Sequence, residues 1–395
     1  MGIGGHTEMH GATGMWAWLA AHFELSRGDQ GHNVRSMEGL RGFAVFLVFL
    51  VHYVTVTAPF ISERSSVPPI AEALHKIGNA GVDLFFVLSG YLIYGSLITR
   101  RQSFGHFMRR RIERIYPTFL FVLAIYVALA YSIGVRGRIP TGVIGAGSYL
   151  VENVLLLPGI FPIEPLIVVA WSLSYEMFYY LTIPVVIALL GLRAWSATRR
   201  VTLFAALTAG FIVWCSLFGA QKVRLTMFVA GILLHEIMTG RLLRSPGGAV
   251  ALGALGGGLL ALLVPWGGPH GAVFRNGALF VSFYTVCFGC FARPDGLIAR
   301  VFSWTPLRWL GNMSYSYYLV HGLALNAIFV LLRASDLRGE RGAVFFWLLM
   351  PVMLALTFVP AALLFLAIER PLSLRPRAGL GICAGEVGLA QSEDR

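Results

Sequence analysis

The feature that most constrains this chain is the recurrence of apolar stretches long enough to cross a hydrocarbon core of about 30 Å as helices. Ten can be drawn, at 40–60, 80–98, 116–133, 171–190, 201–218, 225–238, 250–266, 274–291, 314–332 and 345–367. Lipid offers the backbone no hydrogen bonds, so such stretches fold as helices, which satisfy their own polar groups. The composition agrees: 57% of residues are hydrophobic and 13% charged, where soluble domains carry roughly a quarter charged. An ordinary soluble enzyme is excluded. The expected fold class is all-α, a polytopic transmembrane helical bundle of about ten spans, integral to the cell (inner) membrane.

The net charge of +12 sits mainly in short loops, so it reports topology and contact with membrane lipids rather than nucleic acid. With both termini inside, the cytosolic loops collect Arg100, Arg101, Arg109, Arg110, Arg111 and Arg114, then Arg193, Arg199 and Arg200, then Arg241, Arg244, Arg293, Arg300 and Arg308. The opposite loops hold fewer cations, among them Arg64, Lys76, Arg136, Arg138, Lys222, Arg224, Arg275, Arg333, Arg338 and Arg341. The stretch 225–238 is the shortest, and losing it would invert everything downstream. The outer stretch 136–169, broken by Pro158, Pro162 and Pro165, reads as a re-entrant or interface-lying loop.

Residues 1–34 lack the charged start of a signal peptide and read as a cytosolic extension with a short interfacial helix through Trp16, Trp18 and Phe23. Residues 35–371 form the membrane unit, and 372–395 a cytosolic tail expected to be disordered. Cys287 and Cys290 make a C-x-x-C, but with no second pair or histidine partner nearby they read as packed helix. No metal is expected.

Ionisable residues inside spans are costly, which makes each one a candidate for function. Arg41 and His52 are eleven residues apart, which brings them within about 20° of one helix face and roughly 16 Å apart in depth. Arg41 alone reads equally as a snorkelling topogenic charge, and His52 as a hydrogen-bonded structural histidine. Asp83 enters the second span from the outer side, where it is either a helix N-terminal carboxylate or a partner that orients His52. The run Arg109-Arg110-Arg111-Ile112-Glu113-Arg114 suits topology and anionic lipid, or phosphate recognition by planar guanidinium forks. Glu176, inside the aromatic-rich 171–180, needs a partner or a wet cavity. Ser314, Tyr317 and His321 share a helical face, as a polar seam or as a site.

Taken in order, five strings resemble membrane acyltransferase family 3, the integral-membrane O-acyltransferases. They are Glu38-Gly39-Leu40-Arg41-Gly42 through His52, the string 81–91 from Gly81-Val82-Asp83 to Ser89-Gly90-Tyr91, and the stretches 110–117, 171–180 and 314–321. The resemblance implies an acyl-CoA donor, acetyl-CoA the expected one, entering from the cytosol. It implies a hydroxylated acceptor such as a glycan, lipid-linked sugar or macrolide. Carried onto this sequence, it makes His52, Asp83 and Glu176 the catalytic candidates, with His52 as base or acyl carrier. Arg41, Arg110, Arg111 and Arg114 become the donor-binding residues, and Trp171, Tyr317 and His321 the acceptor contacts. Longer members carry a soluble hydrolase-like domain after the last span; the 25 residues after Arg370 are too few to fold alone, so any partner domain would have to be a separate chain. The competing class is a transporter or flippase for a lipid-linked sugar, which needs no acyl-CoA site.

Overall fold

The computed structural model describes residues 7–25, 31–132, 138–267, 270–334 and 342–374. Arg136, Arg338, Arg341, Cys383 and the tail beyond residue 374 lie outside the described residues. The described residues form helices and no named strand; Pro158 and Phe161 make an isolated bridge. The first helices are α1 (Thr7–Phe23), α2 (Gly31–Thr57), α3 (Val67–Gly78), α4 (Ala80–Thr99), α5 (Phe104–Ser132) and α6 (Val143–Val154). There follow α7 (Trp171–Leu189), α8 (Ala197–Phe218), α9 (Thr226–Thr239), α10 (Gly248–Ala261) and α11 (His270–Ala292). The chain ends through α12 (Leu297–Phe302), α13 (Thr305–Asn312), α14 (Ser314–Ala334), α15 (Ala343–Leu364), a π-helical turn Phe365–Glu369 and α16 (Arg370–Ser373).

Among the described residues, eight helices are long and apolar enough to span a membrane, which makes this an integral multi-pass protein. They account for eight of the ten predicted stretches. The other two, 225–238 and 250–266, form α9 and α10, of 14 residues each, or about 21 Å of helix. α9 buries nearly its whole circumference against α4, α8 and α11, which explains why so short an element is so apolar.

Close backbone approach fixes the centre of the bundle. A Cβ on Gly90 of α4 would lie 2.0 Å from the Phe228 carbonyl of α9, and one on Gly231 of α9 would lie 2.0 Å from the Val87 carbonyl of α4. Only two glycines facing each other let these helices touch. Gly42 of α2 and Gly311 of α13 meet in the same way.

α2 and α14 run side by side in one direction. Arg41, His52 and Phe60 meet Ser314, His321 and Phe329 in register. An odd number of crossings must therefore lie between the two helices. Dropping α9 alone from the span count would break that parity; crossing or not crossing with both α9 and α10 preserves it.

α1 is docked onto this frame. The Asn312 amide donates to the Phe23 carbonyl at 3.0 Å, Arg308 pairs with Glu24, and Arg370 donates to the Ala21 carbonyl at 2.9 Å. Phe23 is buried while Trp16 and Trp18 remain about half exposed. The stretch 136–169, where described, holds α6 and then folds back over α14. Asn153 accepts from the Leu166 amide at 2.8 Å, and the Val169 carbonyl accepts from the Tyr318 hydroxyl at 3.0 Å. Its irregular backbone is thus bonded to protein.

Candidate active site

One cleft gathers most of the ionisable residues of the α2, α5 and α7 mouths. It has a volume of about 170 Å³ and is lined by Arg41, Arg111, Arg114, Glu176, Ser314 and Tyr318, with an apolar wall from α4. Arg41 donates to the Ser314 hydroxyl at 2.8 Å. Arg111 lies over the rings of Phe107 and Tyr180, 5.1 and 5.3 Å from their centroids, and its buried Nε has no hydrogen-bond partner. Arg114 pairs with Glu369 at 2.6 Å. Glu369 also accepts from the amide and hydroxyl of Ser316, at 3.0 and 2.6 Å. It occupies the π-helical turn, whose wider winding swings a carboxylate off the α15 register into the bundle. Glu176 accepts from Ser89 at 3.2 Å and Tyr180 at 2.6 Å. Three guanidiniums against two carboxylates leave one positive charge here.

Beside the cleft stands a pair of imidazoles. Nε2 of His321 lies 3.2 Å from Nδ1 of His52, with the rings edge to face. Nδ1 of His52 also faces the Val48 carbonyl at 2.9 Å, and Nδ1 of His321 the Tyr317 carbonyl at 2.9 Å. A carbonyl can only accept, so His321 carries its proton on Nδ1 and presents a lone pair at Nε2. Nδ1 of His52 faces that lone pair and a carbonyl, so it is the donor to both. The remaining nitrogen, Nε2 of His52, is left unprotonated, on the half-buried ring of the two. His321 is fully buried, and Tyr317 stacks on it at 5.3 Å with 8° between planes. Tyr318, which lines the cleft, has its ring 6.2 Å from His321. The imidazole pair is therefore one side chain from the cleft wall.

Four expectations change. Asp83 does not orient His52: its carboxylate pairs with Arg224 at 3.3 Å, and His321 stands where an acid was expected. Glu176 makes no hydrogen bond or ion pair with either imidazole among the described residues, because its helix presents it to the arginine cleft. Arg110 bonds Gln102 at 2.9 Å on the surface, since a step of about 100° turns it away from the face that Arg111 and Arg114 share. Of the expected acceptor contacts, Tyr317 and His321 are sealed and Trp171 lies under Arg224 at 5.7 Å. Tyr315 and Tyr318 line the cleft on α14 instead. Glu369 was not singled out, although the rule that picked Glu176 applies to it equally: it is an acid at the end of an apolar stretch. Cys287 and Cys290 are buried and unpaired on α11.

Residues 34–366 match the family described as an acyltransferase domain, acyltransferase family 3. Among curated proteins, the O-acetyltransferase OatA of Staphylococcus aureus is 28% identical over 316 residues, covering 72% of this chain and 49% of that protein. Acyltransferase MdmB of Streptomyces mycarofaciens is 27% identical over 376 residues, covering 85% of this chain and 90% of that one. Peptidoglycan O-acetyltransferase OatA of Listeria monocytogenes is 26% identical over 353 residues, covering 75% and 51%. The chain spans about half the length of the OatA relatives it matches. No solved structure matches. An all-helical membrane bundle with the arginine-and-histidine face of α2 at its centre, this chain belongs to acyltransferase family 3.

Proposed function

We propose that the chain is an O-acyltransferase that moves an acyl group, acetyl the expected one, from acyl-CoA to a hydroxyl of a glycan, lipid-linked sugar or macrolide. The observation that carries the reading is the free Nε2 of His52, held by His321 one side chain from a cleft with a surplus positive charge. Residues 35–371 form the catalytic unit in the cell membrane, with the Arg41 cleft facing the cytosol.

Arg41 and Arg111 suit the phosphates of a coenzyme A donor, and the orphaned Nε of Arg111 is a donor awaiting an acceptor. Arg114 is already committed to Glu369 and shapes the cleft. The donor supplies a thioester carbonyl. Nε2 of His52 takes the proton of the acceptor hydroxyl as its oxygen bonds to that carbonyl carbon. The C–S bond breaks, and the proton passes from Nε2 to the departing thiolate. As His52 gains charge, its Nδ1–H bond to His321 strengthens, which holds the ring in place through the transfer.

The test is product formation from radiolabelled acetyl-CoA by purified protein, with donor binding measured beside it. His52→Ala is expected to abolish transfer and keep donor binding, a loss of about 10² to 10⁴-fold. Wild-type transfer in His52→Ala would overturn the mechanism. A flippase would neither bind nor slowly hydrolyse acetyl-CoA.

A further inference from the structure

A second cavity, of about 450 Å³, lies at the N-terminal end of α4, where Asp83 follows Val82 of the arginine cleft. Its polar wall is Lys76, Asn79, Asp83, Arg224, Arg275 and Asn276. Three of these define its chemistry. Asp83 is 1% exposed and pairs with Arg224, yet neither of its oxygens receives a hydrogen bond. Arg224 is held by Asp83 and by the Asn79 carbonyl at 3.1 Å, which is freed where α3 breaks from α4. Arg275 makes no hydrogen bond or ion pair among the described residues, whereas Lys76 is compensated by Glu72 at 2.6 Å. The cavity thus offers one unneutralised guanidinium, a carboxylate able to accept from hydroxyls, and the amides of Asn79 and Asn276.

The cavity also stands at the right level of the bundle. Gly78, next to Asn79, packs against Leu47 and Val51 of α2, directly before His52.

We propose that this cavity is the acceptor site of the reaction proposed above, and that the acceptor is a sugar carrying one anionic group, carboxylate or phosphate. Arg275 holds the anion, while Asp83 and the asparagine amides bond the ring hydroxyls. The inference rests on the acyl-transfer reading for its role, but the binding chemistry stands on the cavity alone.

Saturation-transfer NMR on the full chain in nanodiscs tests it, with glucuronate, glucose 6-phosphate, glucose, glycerol 3-phosphate and inorganic phosphate as probes. The two anionic sugars are expected to bind about tenfold or more tighter than glucose, the scale of one charge-assisted contact, and tighter than phosphate or glycerol 3-phosphate. Arg275→Gln should bring glucuronate to within about twofold of glucose, because the lost contact is the one that reads charge. Arg275→Glu should reverse the preference, favouring glucosamine over glucuronate. Arg275 is part-exposed and unpaired, so these variants leave the packing intact, which detergent melting checks. Equal binding of glucose and glucuronate in wild type, no binding of any sugar, or an unchanged preference in Arg275→Gln each overturns the proposal. So does glycerol 3-phosphate or phosphate binding as tightly as the anionic sugars, which marks a lipid-headgroup or bare anion site. Coenzyme A binding on the same samples separates the two readings: sugar selectivity without donor binding refutes acyl transfer and leaves the cavity standing.

Discussion

Replacing His321 by leucine isolates the orienting role assigned to it. The bond at issue is 3.2 Å long and completely buried on the His321 side, so no water substitutes for it. A neutral hydrogen bond of this kind contributes about 1 kcal/mol, and the same bond to a charged donor about 1.5 to 3 kcal/mol. Only the difference, about 0.5 to 2 kcal/mol, appears in the transition state, where His52 carries the acceptor's proton. That corresponds to a fall in kcat of about 2- to 30-fold with the donor KM unchanged. His321→Gln places an amide oxygen near the position of Nε2 and should recover most of that loss. Steady-state kinetics with acetyl-CoA, run beside detergent melting of each variant, measures both quantities. Wild-type kcat in His321→Leu refutes the orienting role. A glutamine variant as slow as the leucine one refutes the idea that a lone pair at this position is what matters.

The arginines separate by where their guanidiniums lie: Arg111→Ala should weaken coenzyme A binding about 10-fold or more, from a lost charge-assisted bond of about 1.5 to 3 kcal/mol. Arg110→Ala, which loses only a surface bond to Gln102, should bind as wild type, and calorimetry on the two decides it. Glu369→Ala leaves Arg114 buried without its partner and should cost about 3 to 5 kcal/mol of stability, read as a lowered melting point; a Glu369→Met, Arg114→Met double variant should melt closer to wild type. Gly231→Val should prevent α4 and α9 from meeting and remove the monodisperse peak in size-exclusion chromatography. Gly253→Ala, with open space around its Cβ position, should leave that peak intact.

The membrane architecture was legible because one physical constraint, the satisfaction of backbone groups in lipid, acts on every span alike. What apolarity did not distinguish is a helix that crosses lipid from one that is buried in protein. α9 is apolar because α4, α8 and α11 surround it, and its 14 residues carry the same composition as a short span. The glycines were the better guide to its packing, since Gly90 marks where α4 takes a neighbour at backbone distance. Likewise α1 was expected from its tryptophans, but its attachment through Asn312, Arg308 and Arg370 joins residues roughly 300 positions apart in sequence, which no local pattern encodes.

At the site, the sequence supplied depth and face along each helix but not the neighbour that each face meets. Depth already separates Asp83 from His52: Gly78 packs against Leu47 and Val51, and Gly81 against Ala44, Leu47 and Val48, so antiparallel α4 sets Asp83 opposite about residue 44, roughly 12 Å along the helix from His52. Azimuth separates them further. If Gly81 is the point where α4 touches α2, then Asp83, two residues on, is rotated by about 200° and faces away from α2, toward Arg224. That conflict was already present in the string Gly81-Val82-Asp83, because a glycine read as a contact point and an acid two residues later cannot serve the same partner helix. The same arithmetic favours His321. Arg41 and His52 share one face of α2, Ser314 and His321 share one face of α14, and two parallel helices with a polar residue at each of two levels bury all four most cheaply by facing each other. The pairs form as that reasoning requires, at 2.8 Å for Arg41 with Ser314 and 3.2 Å for His52 with His321. A buried carboxylate beside His52 would have needed a cation of its own. An imidazole fixes the tautomer of His52 while adding no charge to the apolar centre of the bundle.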